Sequence, residues 1–193
     1  MRIGRIRFRV HPFAAAGIFL LLAVMPRLYA FAAISSVLLH EAGHIIAARM
    51  LGKRIMEVHL MPVGFSVGLS AASSYSEELL IAAAGPVMNL LYLAAARIWM
   101  PSEVAASVFA ASSSLAVLNL LPVKTLDGGR MIGAVLSRFF GEGTADRVLY
   151  LSTCACLSVL WMLSLYVFFY SGINFTLLVF CAYLFSYLIV KKL

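Results

Sequence analysis

The sequence predicts an all-α polytopic membrane protein with about six transmembrane helices, and composition is the first reason. Hydrophobic residues make up 63% of the 193 residues, charged residues make up 12%, and the mean hydropathy is +1.00. Soluble domains carry about a quarter charged residues, so this chain lies far outside their range. Because apolar runs take up nearly the whole chain, we expect one intramembrane domain over 1–193 and no soluble regulatory domain.

The apolar runs are the second reason, since a helix needs about 20 apolar residues to cross a bilayer. Six runs meet this length, and they are 12–29, 31–51, 78–100, 103–122, 148–170 and 173–190. The region 123–147 contains "LDGGRMIGAVLSRFF". One interpretation of it is a half-span that re-enters the membrane, because broken helices of this kind occur beside functional sites.

The positions of lysine and arginine are the third reason, because they lie at the ends of the apolar runs and predict an orientation. Of the 15 basic residues, all but Arg27 and Arg97 fall on one side of the predicted topology. Basic residues concentrate on the cytoplasmic side of membrane proteins. We therefore expect a multi-pass protein of the cell membrane with both termini in the cytoplasm.

The net charge of +7 does not indicate a nucleic-acid partner. The basic residues form no patch with interleaved aromatic residues, as a nucleic-acid-binding surface would have. The three cysteines lie in late apolar runs, where cysteine behaves as a small hydrophobic residue. They are Cys154, Cys156 and Cys181.

Between the second and third predicted spans the apolar pattern changes. The stretch "KRIMEVHLMPVGFSVGLSAASSYS" contains β-branched residues together with Pro62, Gly64 and Gly68. These features predict short strands and turns in place of a long helix. Its mild hydrophobicity indicates a strand region associated with the membrane.

The second predicted span contains the motif "HEAGH" at 40–44. On a helix, His40 and His44 stack on one face, one turn apart, where they can bind one metal ion. Glu41 lies beside them as a base for a metal-activated water, which is the arrangement of a metalloprotease. The alternative is a surface helix with polar side chains in water. The apolar flanking residues argue against it, because ionisable groups inside a span usually mark a functional site.

A catalytic zinc site usually has three protein ligands, so the histidine pair needs a third. Of the eight acidic residues, Glu41 and Asp127 are the two placed against apolar segments. Asp127 is therefore the candidate third ligand. The alternative is a helix cap or turn residue within "LDGG".

The motifs "HEAGH", "AAAGPVMN" and "NLLPVKTLDGGR" together resemble the site-2 protease family of intramembrane zinc metalloproteases. Their order is most similar to the bacterial stage IV sporulation factor FB branch of that family. The resemblance implies one Zn²⁺ per chain bound by His40, His44 and Asp127, with Glu41 as the catalytic residue. It also implies a supporting role for Asn119 near the zinc. Thr125 stands where the family often has a second proline.

The resemblance also bears on the substrate and on the third span. It implies a membrane-associated protein substrate, such as a pro-sigma factor or another membrane-tethered regulator, and membrane proteins that inhibit or activate the enzyme. Asn89 is assigned a supporting role as well. Like its neighbours Gly85 and Pro86 it matches the family's third-span motif, for which packing and helix kinking are favoured over chemistry.

The segment 55–69 is expected to offer a strand edge for an unwound substrate. The residues assigned to this docking role are Gly64, Phe65, Ser66, Val67 and Gly68. The alternative is a plain connecting hairpin.

A membrane transporter or channel is the alternative function. In it, His40, Glu41, His44 and Asp127 would bind a passing cation or relay protons. Many carriers have two related halves with paired broken helices. The two motif-bearing segments of this chain are unlike each other, which favours the protease.

Overall fold

A computed structural model describes residues 2–3, 6–10, 22–23, 25–61, 64–69, 73–171 and 181–182, and this part of the chain is mostly helical with one small sheet. The elements in chain order are β1 (Arg2–Ile3), β2 (Ile6–Val10), α1 (Arg27–Met50), β3 (Ile55–Met61), β4 (Gly64–Leu69), α2 (Tyr75–Trp99), α3 (Ser102–Asn119), α4 (Asp127–Phe140) and α5 (Glu142–Ser171).

Three of the described helices are long and apolar enough to cross a membrane. They are α1, α2 and Glu142–Tyr170 of α5, and they coincide with the second, third and fifth predicted spans. Helix α3 occupies the fourth predicted span but is not among the three, since its serines and Glu103 make it less apolar. The first and sixth predicted spans lie mostly outside the described residues, so the total of six stays a prediction.

The four strands form one sheet in the order β1-β2-β3-β4. Strands β1 and β2 pair antiparallel, β2 and β3 pair parallel, and β3 and β4 pair antiparallel with Val58 opposite Val67. β3 and β4 lie in the segment where the sequence predicts strands, while their association with the membrane stays a prediction. β1 and β2 were not anticipated, although "RIRFRV" alternates basic and apolar residues with the period of a strand.

Contacts divide the chain into two compact units, Met1–Leu120 and Leu121–Leu193. In the first unit α1, α2 and α3 pack against one another around Ala32, Ala96 and Val108, none of which is exposed. A Cβ on Gly43 of α1 would overlap the carbonyl oxygen of Ala84 in α2. Glycine at 43 therefore allows the two backbones to approach closely, as small residues do between membrane helices.

Hydrogen bonds add to this packing within the first unit. The hydroxyls of Ser36 and Ser112 lie 2.8 Å apart and join α1 to α3. The hydroxyls of Ser35 and Tyr92 lie 2.9 Å apart and join α1 to α2. Such bonds fix the rotation of one helix against its neighbour.

The start of α2 is held by a capping box. Ser74 Oγ accepts a hydrogen bond from the backbone N–H of Glu77, and the Glu77 carboxylate accepts one from the N–H of Ser74. The same carboxylate forms an ion pair with Lys53 at 2.9 Å. This pair joins the segment after α1 to the first turn of α2.

In the second unit α4 packs against α5. The backbone N–H of Lys124 donates to Thr153 Oγ1 at 2.9 Å, and Ser152 Oγ donates to the carbonyl of Pro122 at 3.0 Å. These two contacts fix the turn that leads into α4. The region predicted as a half-span is therefore a turn and a 14-residue helix, and its depth in the membrane stays a prediction.

Candidate metal centre

His40 and His44 lie one turn apart on the same face of α1 and are buried, at 3% and 7% exposure. Their Nε2 atoms are 3.2 Å apart, and the two rings meet edge-on with centroids 4.8 Å apart. Each of the two buried imidazoles thus directs its Nε2 atom towards the same point. This is the arrangement that two histidine ligands of one metal ion require.

The outer nitrogens of both imidazoles contact α2. His44 Nδ1 lies 2.7 Å from the carbonyl oxygen of Ile81, and His40 Nδ1 lies 3.1 Å from Nδ2 of Asn89. A carbonyl oxygen can only accept, so His44 donates from Nδ1 and its Nε2 carries a lone pair. That is the form in which a histidine binds metal through Nε2.

Gly85 lies between these two contacts, four residues after Ile81 and four before Asn89, so the three share one face of α2. A Cβ built on Gly85 would overlap His44 Nε2 and would lie 2.8 Å from His40 Cε1. Glycine therefore leaves space beside both imidazoles, at the nitrogen that would bind a metal. The sequence predicts a packing role for Gly85, and in the structure Gly85 packs against the imidazoles of His40 and His44.

The contact between Asn89 and His40 is one that sequence reasoning missed, because it favoured packing over chemistry for this residue. The available signal was the spacing of four residues from Gly85, which puts the Asn89 side chain on the face that meets α1. The neighbouring Pro86 is buried inside α2. Proline lacks an N–H and loosens the helix at the preceding turn.

Glu41 follows His40 on α1 and is half-buried. Its side chain leaves the helix about 100° from that of His40, as successive helical residues do. The sequence assigned it the role of base, and that assignment stays a prediction.

Asp127 is the first residue of α4 and is 5% exposed. The N-cap of α4 is Leu126, so the alternative of Asp127 as the cap is not what the structure shows. Arg130 Nη1 lies 3.3 Å from Asp127 Oδ1, one turn along the same helix. The buried carboxylate therefore lies beside a cation at the start of a helix.

The other predicted site residues lie in different elements. Asn119 ends α3, and its Nδ2 donates to the carbonyl of Leu115 in the same helix at 3.1 Å. The segment Gly64–Gly68 belongs to β4, the last strand in the order of the described sheet, and α1 packs against this strand. The supporting role of Asn119 and the docking role of the strand stay predictions.

The side chains fit a zinc ion by their chemistry. Each of the three predicted ligands, His40, His44 and Asp127, is buried. Two imidazoles and one carboxylate are a known ligand set of catalytic zinc. The space that Gly85 leaves at His44 Nε2 agrees with this fit.

Comparison with known proteins gives one family match and two curated relatives. Residues 92–163 match the family described as Peptidase family M50. The chain is 32% identical over 164 residues to Stage IV sporulation protein FB of Bacillus subtilis, covering 79% of this chain and 56% of that protein. It is 27% identical over 124 residues to a zinc metalloprotease of Methanocaldococcus jannaschii, covering 58% of this chain and 35% of that protein.

A solved structure of a site-2 protease from Methanocaldococcus jannaschii has the same fold. The TM-score is 0.66 at 20% sequence identity, and the match covers 96% of this chain and 90% of the other. The chain spans about half the length of the first curated relative and about a third of the second. Together with the family match, these findings confirm the resemblance read from the motifs: residues 92–163 match Peptidase family M50, and the chain has the fold of a site-2 protease.

Proposed function

We propose that this chain is an intramembrane zinc endopeptidase that hydrolyses a peptide bond of a membrane-associated protein. The observation that carries the proposal is the pair of facing Nε2 atoms of His40 and His44, inside a helix apolar enough to cross a membrane. Polar groups in such a helix are costly and usually mark function. The contact of His44 Nδ1 with the carbonyl oxygen of Ile81 points to metal binding as that function.

The metal ligands in this proposal are His40, His44 and Asp127, with one zinc ion per chain. The ion would supply Lewis acidity, which polarises a peptide carbonyl and makes water a stronger acid. The two histidines are held by α2, and Asp127 adds the negative charge that partly balances the ion. A ligand set of three leaves room for water and substrate.

Glu41 acts as the general base and acid. Its carboxylate takes a proton from the attacking water as oxygen bonds to the peptide carbon, and it returns the proton to the leaving amine when the C–N bond breaks. The products are one carboxylic acid and one amine, and the acid passes its proton to the amine or to solvent, so Glu41 ends the cycle ionised. Its place next to His40 in the chain puts it beside the histidine pair.

The substrate is held, in this proposal, by strand β4. A helical substrate hides its scissile bond in intrahelical hydrogen bonds, so it must unwind, and its freed backbone groups need partners at membrane depth. β4 pairs with β3 on one side and comes last in the order of the described sheet. Its other edge offers backbone groups over Gly64–Gly68 to which an extended segment can add.

The substrate class in this proposal is a membrane-tethered regulator, and a pro-sigma factor is the candidate that the resemblance to the sporulation branch implies; one relative is named a sporulation protein. Membrane proteins that inhibit or activate the enzyme are further expected partners. Because the matching family is described as a peptidase and one relative is named a zinc metalloprotease, these matches favour the enzyme over the transporter.

Co-expression with candidate membrane-tethered substrates tests the proposal. Cleavage by the unchanged chain should be lost in Glu41→Gln, which keeps the size of the side chain but cannot take up the proton. Glu103→Gln is the matched control, because Glu103 is exposed in the first turn of α3. Equal cleavage by Glu41→Gln and Glu103→Gln would overturn the proposed role of Glu41.

A further inference from the structure

Asn89 is a fully buried amide that contacts a proposed metal ligand. Its exposure is 0%, and its Nδ2 lies 3.1 Å from His40 Nδ1. Among the described residues, its Oδ1 has no hydrogen-bond partner. Buried polar atoms of folded proteins are nearly always paired, so the second half of this amide calls for an explanation.

The directions of the hydrogen bonds around the two histidines follow from one group that can only accept, the carbonyl oxygen of Ile81. Ile81 offers a carbonyl oxygen, so His44 Nδ1 donates and His44 Nε2 accepts. Where the two Nε2 atoms, which lie 3.2 Å apart, share a hydrogen bond, His40 Nε2 is its donor. His40 Nδ1 is consequently an acceptor, and the amide N–H of Asn89 donates to it.

Binding of one metal ion by both Nε2 atoms requires a different arrangement at His40. Each Nε2 must present its lone pair to the ion, so the ring proton of His40 has to sit on Nδ1. That N–H then needs an acceptor at the place where Asn89 Nδ2 lies. A half-turn of the amide exchanges Nδ2 and Oδ1 and puts Oδ1 there.

We propose that Asn89 is a positioning residue for His40. It holds the imidazole in orientation, and its Oδ1 accepts the Nδ1 proton when Nε2 binds zinc. The inference rests on the proposed function, since it assumes that His40 is a zinc ligand. It explains the buried amide, because an amide can serve as donor or acceptor at the same point.

The two histidines have different kinds of partner on the face of α2 that they meet. Ile81 serves His44 with a backbone oxygen, and Gly85 leaves the space for the rings. Asn89, four residues further along the same face, serves His40 with a side chain. Substitution can therefore remove the partner of His40 while leaving that of His44 in place.

The test measures the zinc affinity of the purified full chain in detergent, by competition with a chromophoric chelator. Asn89→Leu removes the hydrogen bond at similar volume, and we expect zinc to bind roughly 10–100-fold more weakly, as is usual when the partner of a ligand is lost. Asn89→Asp retains an acceptor for Nδ1–H and should keep wild-type affinity. Excess zinc should restore cleavage by Asn89→Leu, which it would not do for a purely structural defect.

Ser112→Ala is the matched control, because it removes a buried hydrogen bond between α1 and α3 one turn from His40. It should bind zinc like the wild type. The inference would be overturned if Asn89→Leu bound zinc as tightly as Ser112→Ala. It would also be overturned if Asn89→Leu and a folded Asn89→Asp lost zinc affinity to the same extent. If Asn89→Asp does not fold because its carboxylate is buried, the zinc affinities of Asn89→Leu and Ser112→Ala decide the test by themselves. Absence of zinc binding by the wild type would contradict the proposed function instead.

Discussion

Gly85 lies so close to the imidazole of His44 that a Cβ at position 85 would overlap Nε2. The same Cβ would lie 2.8 Å from Cε1 of His40. The backbone of α2 thus forms one wall of the space beside the histidine pair. This relationship makes position 85 a sensitive test of what that space holds.

We expect Gly85→Ala to lower zinc binding, because the added methyl group would overlap His44 Nε2, the atom that binds the ion in the proposed site. Zinc content of the purified variant, measured by atomic absorption, checks this. Gly143→Ala is the control, since a Cβ at Gly143 meets no atom within 4 Å among the described residues. Full zinc content in Gly85→Ala would show that the ion does not bind beside Gly85.

We expect Asp127→Ala to reduce bound zinc to well below one ion per chain, because two histidines alone leave the ion short of ligands. The loss of affinity should exceed the roughly 10–100-fold that removal of a ligand's partner costs. The other aspartate, Asp146, is exposed and pairs with Lys124, so Asp146→Ala serves as the control. Unchanged stoichiometry in Asp127→Ala would remove this residue from the metal site.

Prolines placed singly along β4 should lower cleavage without loss of zinc. Backbone N–H groups of a strand point alternately to its two sides. Prolines at successive positions over Gly64–Gly68 therefore remove, in turn, a donor that faces β3 and a donor at the outer edge of the sheet. We expect Val67→Pro to lower cleavage if the N–H of Val67 points to that edge, because proline removes one donor. Cleavage rates of a membrane-tethered substrate provide the measurement. Wild-type rates for all of the prolines would refute docking by strand addition.

Both termini should lie in the cytoplasm, because all but two of the 15 basic residues fall on the side assigned to it. Single cysteines at positions 2 and 192, in a chain whose native cysteines are replaced by serine, test this. An impermeant maleimide should label them only after the membrane is opened. Labelling of either position in intact cells would overturn the topology.

The histidine pair could be predicted from the sequence because it depends on one helix alone. A spacing of four residues fixes which side chains share a face, and α1 places His40 and His44 accordingly. The contacts of Asn89 and Gly85 depend on how α2 is rotated against α1. That rotation is set by features such as Gly43 packed on Ala84, which no local pattern reveals.

The sheet shows the same limit. Strands β3 and β4 lie in a segment whose β-branched residues, glycines and proline predict them locally. Strands β1 and β2 come from an arginine-rich start whose basic residues predict the orientation of the chain but not a strand pairing. The parallel pairing of β2 with β3 joins segments about 50 residues apart, and register over such distances is set by tertiary contacts.

The most direct test of the central claim is metal removal and return with the purified protein in lipid vesicles, together with a membrane-tethered substrate. We predict that a chelator abolishes cleavage by the wild type and that added zinc restores it. Glu41→Gln should bind the same amount of zinc yet cleave about 10²–10⁴-fold more slowly, the usual cost of losing a general base. Cleavage that persists in the stripped wild type, or in fully zinc-loaded Glu41→Gln at the wild-type rate, would contradict the account.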